Sequence, residues 1–391
     1  MPKTMFKRNR EVAPEQLVKA LTDVMQATLP LGLQNTRITA EEAWQVLTYA
    51  SVNRLTLESA CDALPAAPSG NRLREVLMPA LPPRAELQGR LNRRLRQQLH
   101  PSLWKKPRGL HLAIDLVLIP YHGQPETDED EVVRGEAKSG TTHFHGYATV
   151  TIVHDKRRYT LAVRFVRLGE TMAQVVRWLL DRVKRLKIRV RRVYLDAGFA
   201  SIPVLRTLKR RRLAYLLPLP VRGRSGGVRT LFTRAKSYWG YYTLHSQDHG
   251  AWTVKTVVVQ RYLKGRYGKH GRKWFAYAIA DLPRGTPPPQ VFEWYRRRFG
   301  IESTYRQLNH LRARTTSRSP VLRLLLVGLA LILVNLHVAL RRLTTLLEAP
   351  SGLPTAIPFS LDRLADLICQ VVQTLLGGQR TLRFRQTVAV S

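Results

Sequence analysis

Three acidic residues stand in contexts that suit metal-assisted chemistry on a phosphate. Asp115 belongs to the apolar run Leu110–Ile119, and Asp196 ends the run Val190–Leu195 just before Gly198. Glu302 lies in a basic segment that begins Tyr295-Arg296-Arg297-Arg298. The chain carries 27 Asp and Glu against 64 Lys and Arg, so a carboxylate inside a buried strand is unusual here. Burying an unpaired carboxylate is costly unless something positive compensates it. Three converging carboxylates suit Mg²⁺, a hard cation that takes oxygen ligands and keeps part of its water.

The elements that must position them follow from the change of period along the chain. Residues 14 to 64 read as short helices, with Thr39 ahead of Glu41 and Glu42 as a cap and Ala43, Leu47 and Ala50 on one face. A further helix carries Leu87, Leu91, Leu95 and Leu99, with Arg90, Arg93, Arg94 and Arg96 around it. Residues 1–107 are therefore expected to form a basic, helical DNA-binding domain. From residue 110 the pattern becomes β: a buried strand over 110–119, then a hairpin from Tyr147–His154 and Tyr159–Val166. An amphipathic helix (171–186), a strand (190–195), a helix (202–212) and a short strand (214–217) follow. That order predicts an α/β fold with a ribonuclease-H-like mixed sheet over 108–218. A β-rich insertion occupies 219–282, a long helix carrying Glu302 fills 283–320, and helices complete 321–391.

Composition narrows the function. The net charge is +37 and the pI near 11.2, which a polyanion must screen; nucleic acid is the natural one. Hydrophobic content of 44% excludes a wholly disordered chain. Two cysteines, Cys61 and Cys369, exclude a disulfide framework and a cysteine zinc site, and fit a reducing cytoplasm. The apolar run Leu324–Val334 falls short of the roughly 20 residues of a membrane span and reads as a buried core helix. Double-stranded DNA is the expected partner, in the cytoplasm at the nucleoid, with no membrane.

Taken together, Asp115 on the first strand, Asp196 after the fourth and Glu302 on a late helix resemble the DDE triad of bacterial insertion-sequence transposases. The "insertion sequence four" superfamily is the nearer likeness. Its signature is Tyr, two residues, Arg, three residues, Glu, six residues, Lys; here Tyr295, Arg298 and Glu302 keep the spacing and Asn309 replaces the lysine. The resemblance covers residues 108–320, β-rich insertion included. It implies Asp115 as the shared ligand of two Mg²⁺ ions, or Mn²⁺ in their place, with Asp196 and Glu302 each completing one site. It also implies that Tyr295 and Arg298 hold the phosphates beside the cleaved bond, with Arg306 or Arg312 standing in for the lysine. On a single helix, Tyr295, Arg298, Glu302, Arg306 and Asn309 fall within about 80° of one face. In relatives that form DNA hairpins a strand tryptophan stacks on a flipped base, which makes Trp274 the candidate here.

The function expected from this resemblance is cut-and-paste transposition: metal-dependent strand cleavage and strand transfer at terminal inverted repeats, by a homodimer on DNA. A ribonuclease-H-like nuclease or resolvase without strand transfer is the alternative, as is an inactive DNA-binding descendant. Two other stretches carry weaker signals. Gly135-Glu136-Ala137-Lys138-Ser139-Gly140-Thr141 has threonine where a phosphate loop needs lysine. The acidic residues 126–131 read as a solvated turn.

Overall fold

The computed structural model describes residues 13–33, 36–103, 109–124, 131–154, 157–234, 236–263, 271–283, 285–296, 298, 300–347 and 359–378. The acidic residues 126–130, the linker at 104–107 and the loop at 350–358 lie outside the described residues. Two compact units divide the chain: residues 99–306, and residues 1–98 together with 307–391.

The first of these is built on one sheet. Strand β1 (Leu110–Pro120) is apolar without alternation because both its faces are covered; Leu112, Ala113 and Ile114 are almost wholly buried. β3 (Thr141–His154) runs antiparallel to β1, and β4 (Arg157–Val166) forms a hairpin with β3. The expected hairpin is thus present, with β3 starting earlier than the alternation suggested. β2 (Val133–Lys138) was not anticipated; it pairs with the start of β3 and is mostly exposed. Helix α6 (Met172–Arg185) opens on a capping box between Thr171 and Gln174 and buries Val175, Val176, Leu179, Leu180 and Val183. It leads to β5 (Val190–Leu195), parallel to β1; α7 (Ile202–Arg210) then leads to β6 (Tyr215–Pro218), parallel to β5. The order β4-β3-β1-β5-β6 is ribonuclease-H-like.

The β-rich segment is an insertion in sequence only. β7 (Tyr238–Ser246), β8 (Gly250–Leu263) and β9 (Gly271–Ala280) extend the same sheet, because β9 pairs antiparallel with β6 from Tyr215↔Ala280 to Pro218↔Tyr277. Among the described residues the sheet has nine strands.

The expected long helix carrying Glu302 is two helices. α8 (Pro288–Arg296) stops, and α9 (Gly300–His310) begins after it. Tyr295 and Glu302 therefore sit on different helices rather than on one face of a single helix. Gly300 carries the cost a glycine imposes on a helix interior, and here it opens a new helix. α8 is docked on the sheet by Phe292 against Phe275, Tyr295 against Tyr277, and Trp294 beneath the Arg192 guanidinium at 4.3 Å.

The other unit is helical: α1 (Pro14–Thr28), α2 (Ala40–Asn53), α3 (Leu57–Asp62), α4 (Gly70–Ala80), α5 (Arg84–Gln97), α10 (Pro320–Leu347) and α11 (Leu361–Leu376). Thr39 caps α2 in a box with Glu42. The apolar α10 is a core helix, buried without interruption from Leu322 to His337. It packs on α5, where Gly328 lies so close under Leu91 that a Cβ would strike that side chain. α11 packs on α2 and α1. The N-terminal helices thus share one core with the C-terminal ones.

Candidate active site

Topology brings two of the three acidic residues together. β1 and β5 are parallel neighbours with Ala113 opposite Tyr194 and Ile114 opposite Leu195, so the next pair along is Asp115 and Asp196. Adjacent strands lie about 4.8 Å apart, and residues in matched register point to the same face. Both aspartates therefore emerge on the face where Ala113 and Tyr194 meet Val291, Phe292 and Tyr295 of α8. Asp196 follows the C-terminal end of β5, where open α/β sheets place their ligands, and Asp115 lies mid-strand in β1 just past the end of its parallel ladder with β5. Asp115 is 7% exposed and accepts a hydrogen bond from the Leu116 amide at 2.9 Å. Asp196 is open, its side chain 48% exposed. One carboxylate is fixed inside the sheet and the other meets solvent, an oxygen donor set that fits a hard divalent cation.

Tyr295 and Arg298, expected at DNA phosphates, are turned inward instead. Arg298 is 4% exposed; its Nη2 lies 2.8 Å from Asp196 Oδ1, and its Nε donates to the Tyr295 hydroxyl at 3.1 Å. Tyr295 in turn donates to the Leu195 carbonyl at 3.2 Å. The reason is electrostatic: a guanidinium this deeply buried requires a carboxylate partner, and Asp196 is within reach. Burial pushes the Tyr295 phenol well up, with Arg298 pulling the other way. It stays a neutral donor at any working pH.

A group that the sequence did not single out lies on the same face. Thr149 is directly opposite Asp115 across the β1–β3 pair, and its Oγ1 is 2.7 Å from the Tyr305 hydroxyl of α9. Burial, and then the negative charge of Asp115, hold the Tyr305 phenol well above its ordinary pKa. Glu302 precedes Tyr305 by three residues on α9, while its side chain lies outside the described residues. Among the described residues no three His, Cys, Asp or Glu groups converge as a metal cluster.

The remaining candidates are dispersed. Trp274 is half-buried on β9 and stacks on Phe232 at 5.9 Å. Arg306 is exposed on α9, and Arg312 is partly buried just after it. On α5, Arg93 and Arg96 are exposed, whereas Arg90 bonds to Glu86. Arg94 is not available to a phosphate: it is 7% exposed, on the leucine side of α5, and burial depresses its pKa.

Residues 106–336 match the family model described as "Transposase DDE domain". In the cryo-EM structure of the piggyBac transposase synaptic complex with hairpin DNA, a chain shares the fold, with a TM-score of 0.57 at 13% identity. The match covers 95% of this chain and 83% of that one. No curated protein matches the chain.

Proposed function

The chain belongs to the transposase DDE-domain family, and from that membership we propose that Asp115, Asp196 and Glu302 are its acidic triad. It is an enzyme that binds DNA, cleaves its strands and transfers them with the help of a divalent cation. The observation that supports the triad reading is that the parallel β1–β5 ladder closes at Ile114 opposite Leu195, so that Asp115 and Asp196 are the next residues on the two neighbouring strands.

Asp115 is shared between two Mg²⁺ ions, replaceable by Mn²⁺, and Asp196 and Glu302 complete one site each. Bound there, the metals activate the attacking oxygen and stabilise the leaving one. Asp115, held by the sheet on both sides, sets the position of the site. Arg298 holds Asp196 through a charge-assisted bond while Tyr295 supports Arg298, so this pair orients a carboxylate before it reaches a phosphate. The spacing of Tyr295, Arg298 and Glu302 suits the "insertion sequence four" type. The substrate is then the terminal inverted repeats of an insertion sequence, cut and pasted by a homodimer in the compartment that holds the DNA. Arg306, Arg312, Arg90, Arg93 and Arg96 supply phosphate contacts, and Trp274 the surface for an unstacked base.

Substitution tests the triad. Asp115→Asn, Asp196→Asn and Glu302→Gln should each abolish strand cleavage yet leave DNA affinity nearly unchanged, because affinity comes from the basic surface. Wild-type cleavage by any one of them removes that residue from the site.

A further inference from the structure

α8 ends at Arg296 and α9 begins at Gly300, so the segment that carries position 302 is an element of its own. Something must fix it over the sheet. Its described side chain on that face is Tyr305, whose ring packs against the cluster of Ala113, Tyr194, Phe292 and Tyr295. The ring gives burial but little direction; the hydroxyl gives direction, through its 2.7 Å bond to Thr149 Oγ1. Thr149 is 2% exposed and stands directly across from Asp115. Side chains so opposed have Cβ atoms about 4.5–5.5 Å apart. Residues three apart on a helix share a face, which puts position 302 one turn from this anchor.

We propose that Tyr305 is a positioning residue: clasped by Thr149, it docks α9 on the strand pair that carries Asp115 and thereby sets where Glu302 stands for metal binding. The proposal rests on the triad reading above and adds to it the device that completes the triad. Tyr305 need not touch metal or DNA. Thr149 and Tyr305 are 156 residues apart, so the clasp ties the start of the catalytic unit to its end. A threonine in an apolar strand packs like valine, and the Oγ1 it adds here has this one task.

Tyr305→Phe removes only the hydroxyl, and Thr149→Val only its partner. Each single variant should weaken Mn²⁺ binding, measured by titration calorimetry on the full chain, by about five- to tenfold, the worth of one directed buried hydrogen bond. The half-saturating Mg²⁺ concentration for cleavage should rise by the same factor. Metal-free DNA affinity should be unchanged, and the metal-free Tm should move by no more than about 4 °C. The double variant should be no worse than either single one, since both remove the same bond. Wild-type metal constants in both single variants, or losses that multiply in the double variant, overturn the proposal. Glu302→Gln is the control. If it binds Mn²⁺ as wild type does, the triad reading fails and the clasp with it. If it loses metal while Tyr305→Phe does not, the clasp alone fails.

Discussion

The two sheet aspartates and the glutamate helix are held by different physics. Asp115 sits in a strand paired along ten positions with β3 on one side and with β5 on the other, so moving it means breaking a ladder. Asp196 follows the last residue of β5 and is bonded to Arg298. α9 has no such ladder: as a helix it meets the sheet through side chains, Tyr305 among those described. Two carboxylates are as durable as the fold, while the third depends on a few contacts that can open locally. Metal affinity should therefore be far easier to change from the helix side than from the sheet side.

The largest effect that would break this contrast lies in the sheet. Leu216 on β6 is fully buried in the cluster beneath α8. Leu216→Ala should lower stability by about 2–5 kcal/mol, seen as a Tm loss of roughly 2–4 °C per kcal/mol in a protein of this class. Well below the new Tm its Mn²⁺ affinity should match wild type. A large change in metal affinity without a fall in Tm would mean that the sheet does not hold its aspartates as described.

Arg298 stands between the two regions and should give the next largest effect. Arg298→Met strips the Asp196 carboxylate of its cation and the Tyr295 hydroxyl of its donor. Asp196 is half-exposed and can rehydrate, so the loss falls on positioning more than on folding. Single-turnover cleavage should drop about 10–100-fold, the range for one hydrogen bond to a charged group. Arg298→Lys should recover only part of it, because an ammonium lacks the planar fork that serves both partners. Cleavage at the wild-type rate in Arg298→Met would show that Asp196 needs no such support.

Alkaline titration separates the two regions by a smaller, spectroscopic effect. Burial raises the phenols of Tyr277, Tyr295 and Tyr305 and pushes that of Tyr215 up to about 12. A group whose folded pKa exceeds its unfolded value contributes stability that is complete below about pH 10 and is lost as pH rises toward the folded value. These four phenols should ionise only with unfolding. Absorbance at the phenolate band, read beside circular dichroism, checks this; early ionisation of Tyr305 would mean that α9 is loosely docked.

The sequence was informative where one residue violated its surroundings. An aspartate in the run Leu110–Ile119 and another at the end of Val190–Leu195 mark β1 and β5, and the parallel register then makes them neighbours. The apolar α10 and the amphipathic α11 were equally plain. β2 was not, because a short exposed strand carries no hydrophobic period. The division into α8 and α9 was hidden by a helical pattern that runs through both. Arg94 could not be told from Arg93, since which arginine of a basic helix turns inward depends on what α10 presents. The Thr149–Tyr305 clasp is long-range and joins two unremarkable residue types, so no local signal announces it. Nor does the N-terminal segment reveal that its apolar faces are completed by α10 and α11, more than 200 residues later.

If both carboxylate-bearing regions serve chemistry, neither should set the affinity for DNA. The N-terminal helices are the expected readers of the repeats, and α5 is the arginine-rich helix among them. Deleting residues 1–107 is a poor test, because α10 and α11 would lose the helices they pack on. Point variants avoid this. Arg93 and Arg96 are exposed on α5, whereas Arg94 is buried. Each phosphate contact contributes about 0.9 to the slope of log affinity against log salt. Arg93→Gln with Arg96→Gln should therefore flatten that slope by up to about 1.8 and leave the cleavage rate of bound DNA unchanged. Arg94→Gln should leave the slope alone and lower the Tm. An unaltered slope in the double variant, with preference for the element's own ends retained, would place recognition elsewhere than on α5.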